Sequence, residues 1–330
     1  MIKDLLSKFF LMKSRTRLII NEFQLDNKAF YSWGMKRSGK FLRNNMKNKK
    51  IVYVEDGFVH SFGTKKKVIP LSICFDNAGI YYNCNSKNDF KKYIKEKLSK
   101  ENFSRAKNIV NLWKKYSISK YNFPSFLEPP PSPYILLIDQ TFGDLSIEYG
   151  DANENSFKKM FEYAVNNWPE HKIVIKSHPD VINSKKKGCI NISNNTEDNV
   201  IILGDIGQIN KLIESSEAVC VVTSQVGFEA LIYGKDVHVF GKPFYSGLGL
   251  TIDHNSNIKK VTNQITLEQL VFSSLVKYQI CFDPRTKKEC QIEEIIQYIH
   301  SSREASKFFP KNFEAINLTP WKARQINRFV

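Results

Sequence analysis

Between residues 135 and 240 short apolar runs alternate with stretches of helical period, and this alternation constrains the fold more than any other feature of the chain. The apolar runs are ILLID (135–139), IVIK (173–176), VIIL (200–203), AVCVV (218–222) and DVHVF (236–240). Their length and β-branched content predict buried strands. Residues 156–167, 208–215 and 225–233 carry helical spacing, with Trp168-Pro169 and Gly234 as stops. Strands that alternate with helices specify an α/β fold with a parallel sheet.

Upstream, residues 126–134 read FLEPPPSPY. Three successive prolines fit neither a helix interior nor a central strand. Residues 129–133 are therefore the expected linker between an N-terminal α/β domain (1–128) and a C-terminal Rossmann-like domain (134–303). A chain of 330 residues suits two such domains. In the first domain, residues 29–32, 51–54 and 71–75 are expected strands, and 38–47 and 89–100 expected helices. Residues 304–330 form a basic tail expected to pack back on the first domain.

Four polar clusters each follow directly on a predicted strand. They are Glu55-Asp56-Gly57, Gln140 through Ser146, Ser177-His178-Pro179-Asp180, and Thr223-Ser224-Gln225. In open α/β sheets the ligand crevice lies outside the carboxyl ends of the strands, so the four together point to a ligand site. Thr223 or Ser224 can cap the helix that follows, and that helix start also attracts a phosphate or carboxylate. Lys176 and His178 supply a point charge and a donor for an anion. Glu229 is either a ribose-hydroxyl acceptor or a solvated helix residue. Asp144, after the turn-permitting Gly143, is the candidate nucleophile, although Asp and Gly are also ordinary turn residues. Glu55 and Asp56 form a second carboxylate group, as retention of configuration at a sugar requires.

The net charge of +16, from 49 Lys and Arg against 33 Asp and Glu, fits an acidic partner: nucleic acid, anionic lipid or an acidic substrate. No recognition-helix, zinc-finger or aromatic RNA-binding pattern is present, which argues against nucleic acid. Six scattered cysteines imply a reducing compartment, and neither Cys nor His shows metal-ligand spacing. No apolar run is long enough to span a membrane. Ile2, Leu5, Leu6, Phe9 and Phe10 fall at helical spacing among Lys3, Lys8, Lys13, Arg15 and Arg17. That pattern suits either a basic amphipathic helix on an anionic membrane or a helix packed on the first domain.

Eight stretches carry a resemblance. They are EDGFVHS (55–61), PLSICFDNAGIYY (70–82), SKYN (119–122), DQTFGDLSIEYGDA (139–152), IKSHPDV (175–181), VVTSQVGFEALIYGK (221–235), FGKPFYSGLGLT (240–251) and FDPRT (282–286). In this order they resemble the bacterial capsule β-Kdo glycosyltransferases of the KpsC type, where Kdo is 3-deoxy-D-manno-oct-2-ulosonic acid. Proteins of that type usually carry two modules; this chain holds one, most similar to the N-terminal module, which is associated with β-(2→4) linkage.

The resemblance implies two Rossmann-like domains in a GT-B-like arrangement with the active site in the inter-domain cleft. It implies CMP-β-Kdo as donor, no cofactor, and a retaining double displacement through Asp144, with Glu55 and Asp56 as the further catalytic carboxylates. Gln140, Ser146, Lys176, His178, Thr223, Ser224, Gln225 and Glu229 are the expected donor-binding residues. His60, Phe244, Tyr245 and Leu248 are expected to shape the acceptor side. The expected acceptor is a Kdo-primed anionic glycolipid of capsule or surface polysaccharide synthesis. The expected location is cytoplasmic, peripheral to the inner membrane, beside other capsule biosynthesis proteins. His60 stands where the family usually has Arg, and Leu248 where it usually has Trp, which removes a bidentate contact and a stacking surface. Two other readings compete: an inverting sialyltransferase-like enzyme with Asp56 as general base, and a glycan- or lipid-binding protein on a decayed transferase fold.

Overall fold

The computed structural model describes residues 29–36, 44–45, 49–63, 70–131, 133–177, 181, 187–190, 199–258, 264–286 and 288–308. In chain order its elements begin with β1 (Phe30–Trp33), β2 (Ile51–Asp56), β3 (Ser61–Phe62), β4 (Ser72–Asp76), α1 (Phe90–Tyr93) and α2 (Lys100–Lys115). Next come β5 (Tyr121–Asn122), β6 (Tyr134–Ile138), α3 (Leu145–Tyr149), α4 (Glu154–Asn167), β7 (Lys172–Lys176) and β8 (Val200–Leu203). Then follow α5 (Asn210–Ser215), β9 (Ala218–Val221), α6 (Val226–Ile232), β10 (Asp236–Val239) and β11 (Ile252–Asp253). The last are α7 (Leu267–Val271), a π-helical turn (Phe272–Tyr278), β12 (Gln279–Asp283), β13 (Lys288–Cys290) and α8 (Ile292–Phe308).

The chain forms two compact units: one takes its residues from Met1–Tyr81, Ser86–Glu96 and Ser273–Val330, the other from Tyr82–Asn85 and Lys97–Phe272. The first holds a five-stranded sheet in the order β1-β2-β4-β12-β13. Only β1 and β2 are parallel; β2–β4, β4–β12 and β12–β13 are antiparallel. The expected Rossmann-like character of this domain is therefore corrected to a mixed sheet. The chain reverses after β2, where Gly57 N–H bonds Ser72 O at 2.9 Å and Leu71 N–H bonds His60 O at 2.8 Å. A Cβ at Gly57 would lie 2.2 Å from Ser72 Oγ, so only glycine permits this reversal.

The second unit holds a six-stranded sheet in the order β11-β10-β9-β6-β7-β8, parallel at every pairing. All five residues of β6 are buried, as expected of a parallel strand covered on both faces. One face packs on Phe157, Met160 and Ala164 of α4, whose spacing puts them on one helical stripe. Asn153 and Ser156 form a reciprocal capping box at the start of α4.

The strands and helices expected from residue 135 to 240 are all present, with ends shifted by one or two residues. The domain boundaries are not where the prolines lie. The proline segment leads into β6 inside the second unit, where Leu127 N–H bonds Gln208 O at 3.1 Å and Gln208 N–H bonds Ser125 O at 2.8 Å. The second unit instead begins before α2, a helix absent from the sequence reading, which buries Ala106, Ile109, Val110 and Trp113 and packs on α6 and α7. The expected C-terminal domain ending at 303 is also corrected. The described residues between Ser273 and Phe308 belong to the first unit because β12 and β13 extend its sheet and α8 packs on β12. The tail thus begins as helix through Phe308, and its remainder lies outside the described residues, as do the N-terminal helix and all but Asn44 and Asn45 of the helix expected at 38–47. The helix expected over 89–100 shortens to α1.

Candidate active site

In the second unit β6 has β7 on one side and β9 on the other, so the strand order reverses between β6 and β9. That reversal is the topological switch point, where loops from the two strands diverge and leave a crevice at their carboxyl ends. The clusters Gln140–Ser146 and Thr223–Gln225 leave these two strands, and Ser177 leaves the neighbouring β7. Tertiary folding therefore gathers two of the four predicted clusters, and Ser177 of a third whose other residues lie outside the described ones, at the carboxyl end of one sheet.

Gln140 and Thr223 are almost fully buried there. Gln140 Nε2 donates to Thr223 Oγ1 at 3.0 Å and lies 3.3 Å from Ser146 Oγ. Gln140 Oε1 accepts from Thr223 N–H at 3.0 Å. Ser146 Oγ and Thr223 Oγ1 are 3.3 Å apart. The Thr223 methyl group would be 2.6 Å from a Cβ at Gly150 and 2.8 Å from one at Gly241. These two glycines let the methyl pack inward and turn the hydroxyl toward Gln140 and Ser146. The result is a compact amide–hydroxyl cluster able to hydrogen-bond an oxyanion or a sugar hydroxyl.

Asp144 projects from the same loop. Gly143 has φ +79°, a left-handed turn that glycine adopts without strain. Asp144 then caps α3, with Oδ1 accepting from Ser146 N–H at 2.9 Å. Its carboxylate is exposed, and among the described residues Oδ2 makes no hydrogen bond. Asp144, Phe142, Glu148, Asp151 and Cys189 line an open concavity of about 400 Å³. Asp151 is held by Lys242 at 2.7 Å, which lowers its carboxyl below the usual range.

Other expected donor residues are more deeply placed. Lys176 is buried at the end of β7, its Nζ donating to Ser177 O at 2.6 Å. Burial pulls its ammonium down to about 8, opposed by the charge of Asp205. Neither Thr223 nor Ser224 is the cap residue: Gln225 occupies that position without a side-chain cap bond, and Ser224 Oγ, one residue earlier, accepts from Val226 N–H at 3.2 Å. Glu229 is neither solvated nor open to a ribose. It is fully buried, its Oε1 accepts from Lys120 N–H at 3.0 Å, and burial raises its carboxyl to about 7 against the pull of Ser119 and Lys120. Glu229 therefore anchors the SKYN turn. His178 lies outside the described residues.

The residues expected to shape the acceptor side divide. Tyr245 is fully buried, its hydroxyl donates to Ser224 O at 2.5 Å, and it packs where a Cβ at Gly227 would stand. Its ring braces the start of α6 rather than facing a sugar, which corrects its assignment. Leu248 is likewise buried. Phe244 is half-buried against Phe228 and Tyr245.

In the first unit Glu55 and Asp56 end β2. Glu55 Oε1 accepts from Asp56 N–H at 3.2 Å. Buried His60 places Nε2 3.4 Å from Asp56 Oδ2, so its partner is a carboxylate of the chain itself. Asp56 Oδ1 is buried without a hydrogen-bond partner among the described residues. No group of three or more potential metal ligands occurs among the described residues, and no described helix is long and apolar enough to cross a membrane.

The family described as "Capsule polysaccharide biosynthesis protein" matches residues 28–126 and 106–281. The capsule polysaccharide modification protein LipA of Neisseria meningitidis is 29% identical over 311 residues, which are 89% of this chain and 44% of LipA. The lipopolysaccharide-processing protein LpsZ of Rhizobium meliloti is 30% identical over 275 residues, 80% of this chain and 62% of LpsZ. The chain thus spans less than half the length of LipA. Among solved structures, the β-Kdo 2,4 transferase of Thermosulfurimonas dismutans KpsC superposes with a TM-score of 0.75 at 30% identity, covering 83% of this chain and 87% of that one. The β-Kdo 2,7 transferase of the same protein gives 0.65 at 25% identity, covering 90% and 94%.

Proposed function

The chain belongs to the capsule polysaccharide biosynthesis family, and from that premise we propose that it is a retaining glycosyltransferase moving β-Kdo from CMP-β-Kdo to a Kdo-primed anionic glycolipid. The observation that carries this reading is the likeness over most of both chains to a β-Kdo 2,4 transferase, with Asp144 beside a polar cluster at the switch point. The stronger likeness to the 2,4 than to the 2,7 transferase supports a β-(2→4) linkage.

In this reading Gln140, Ser146 and Thr223 hold the donor's polar groups, and Lys176 offsets the negative charge of the departing phosphate. An oxygen of Asp144 attacks the anomeric carbon, the bond to the CMP phosphate oxygen breaks, and CMP leaves with the electron pair. The acceptor hydroxyl then displaces Asp144, and its proton passes to a second carboxylate. Glu55 and Asp56 are assigned that acid/base work, and a GT-B-like arrangement is part of the same proposal. No metal or organic cofactor takes part. The protein works at the cytoplasmic face of the inner membrane, where its positive charge suits an anionic lipid acceptor.

Intact-mass analysis after adding CMP-β-Kdo without acceptor tests the reading. The expected result is a Kdo-sized adduct that maps to Asp144. Transfer without any adduct, retained in Asp144→Ala and lost in Asp56→Ala, establishes the inverting mechanism instead. Neither CMP release nor product with a Kdo-primed lipid leaves a binding protein.

A further inference from the structure

Asp139, the last residue before the Gln140 cluster, has no role in the chemistry described above, yet its carboxylate is buried at 4% exposure. Oδ1 accepts three backbone N–H groups, from Gln140, Cys189 and Ile190, each at 2.9 Å. Oδ2 occupies the space of a missing side chain: a Cβ at Gly188 would stand 2.1 Å from it. Residues 187–190 thus close over the carboxylate from a part of the chain about fifty residues away in sequence.

The same segment grips the loop that carries Asp144. Phe142 N–H bonds Lys187 O at 2.9 Å, Cys189 N–H bonds Gln140 O at 3.1 Å, and Thr141 bridges Gly188 in antiparallel sense. Asp144 N–H then bonds back to Thr141 O at 3.1 Å across the Gly143 turn. Burial raises the Asp139 carboxyl above its ordinary value, opposed by these three N–H groups, and as a carboxylate it binds them more firmly than a neutral acceptor does. The backbone of 140–144 is therefore tied through Asp139 to the end of β6, where Asp139 N–H bonds Lys176 O at 3.1 Å.

We propose that Asp139 is a positioning residue: with Gly188 it clamps residues 187–190 onto the loop and so sets where Asp144 meets the anomeric carbon. This rests on Asp144 being the nucleophile. A misplacement of about 1 Å in such a group costs on the order of 10²-fold in rate, which gives the clamp its catalytic weight.

The clamp is testable from both sides, with turnover and hydrogen exchange measured on the same full-length protein. Asp139→Asn keeps the volume and one acceptor oxygen but removes the charge; Gly188→Ala forces the segment off the carboxylate. Each is expected to speed exchange of amides in 140–146 and 187–190 only and to lower kcat about 10²-fold, with a much smaller loss of CMP affinity, well under tenfold, because the Gln140 side chain keeps its bonds to Thr223. In an Asp139→Ala background the added methyl at 188 meets no carboxylate, so Gly188→Ala is expected to cost nothing further. Unchanged exchange in 140–146 for Asp139→Asn and Gly188→Ala overturns the clamp whatever the turnover. Loosened exchange with wild-type kcat overturns its catalytic role. Loss of CMP affinity equal to the loss of kcat makes Asp139 a donor-site scaffold and also overturns the proposal. A wild type with no transfer and no Asp144 adduct sinks the parent reading, and the catalytic role of the clamp with it, while exchange still decides the clamp's geometry.

Discussion

The side-chain amide of Gln140 meets Thr223 from both ends, Nε2 donating to Oγ1 at 3.0 Å and Oε1 accepting from the Thr223 N–H at 3.0 Å. The two residues leave neighbouring strands at the switch point, so this pair ties the two halves of the sheet together at the place where a donor is expected to bind.

Gln140→Ala leaves a buried N–H and hydroxyl without their amide partner. The expected loss of stability is about 1–3 kcal/mol, measured by urea unfolding. CMP affinity by calorimetry is expected to fall about tenfold or more, since roughly 1.4 kcal/mol corresponds to a factor of ten. Unchanged CMP affinity with reduced stability assigns the pair to the fold alone.

Asp144 caps α3 and is the proposed nucleophile, and two substitutions separate these roles. Asn caps a helix about as well as Asp, so Asp144→Asn is expected to melt like the wild type. Asp144→Ala is expected to lose about 1 kcal/mol. Both are expected to lose transfer by a factor on the order of 10³ or more. Near-normal transfer in Asp144→Asn removes it from the chemistry.

Lys176 titrates at about 8 because burial disfavours its charge. CMP affinity is therefore expected to decline as pH rises through about 8, and Lys176→Met is expected to bind weakly with no such decline. The sign for stability follows from a depressed base: its contribution is present above the unfolded value of 10.5 and lost as pH falls through about 8. Lys176→Met is thus expected to raise Tm at pH 7 relative to the wild type, and less so at pH 10.

Glu229 titrates at about 7 against an ordinary 4.5. For a carboxyl raised on folding, the stability is fully present below 4.5 and is lost as pH rises through about 7. Glu229→Gln keeps an acceptor for Lys120 N–H without the charge. It is expected to melt higher than the wild type at pH 8 and alike at pH 4.5, by melting curves across that range. A parallel pair of curves places the burden of ionisation elsewhere.

The topology of the first unit is less legible in the sequence. Residues 51–56 announce a strand, but nothing local to them says that residues 279–283 complete the same sheet through β4. Pairing between segments some two hundred residues apart depends on which edges the rest of the fold leaves open. The prolines misled for a related reason. Proline reports only local backbone restriction, whereas a unit boundary depends on where the apolar face of α2 is buried, and that face lies on α6 and α7. Tyr245 and Glu229 look like site residues in sequence because they sit inside motifs; burial turns one into a brace for α6 and the other into an anchor for the SKYN turn.

The sequence by itself determined the α/β alternation from 135 to 240, the parallel sense it demands, and the placing of polar clusters at strand ends, because hydrophobic period and turn chemistry are local properties. Tertiary structure decided which clusters meet. The strand order put Gln140 and Thr223 on adjacent strands at the reversal, and a segment far along the chain closed over Asp139. Those outcomes follow from packing and hydrogen-bond satisfaction summed over the whole molecule, which no stretch of sequence carries alone.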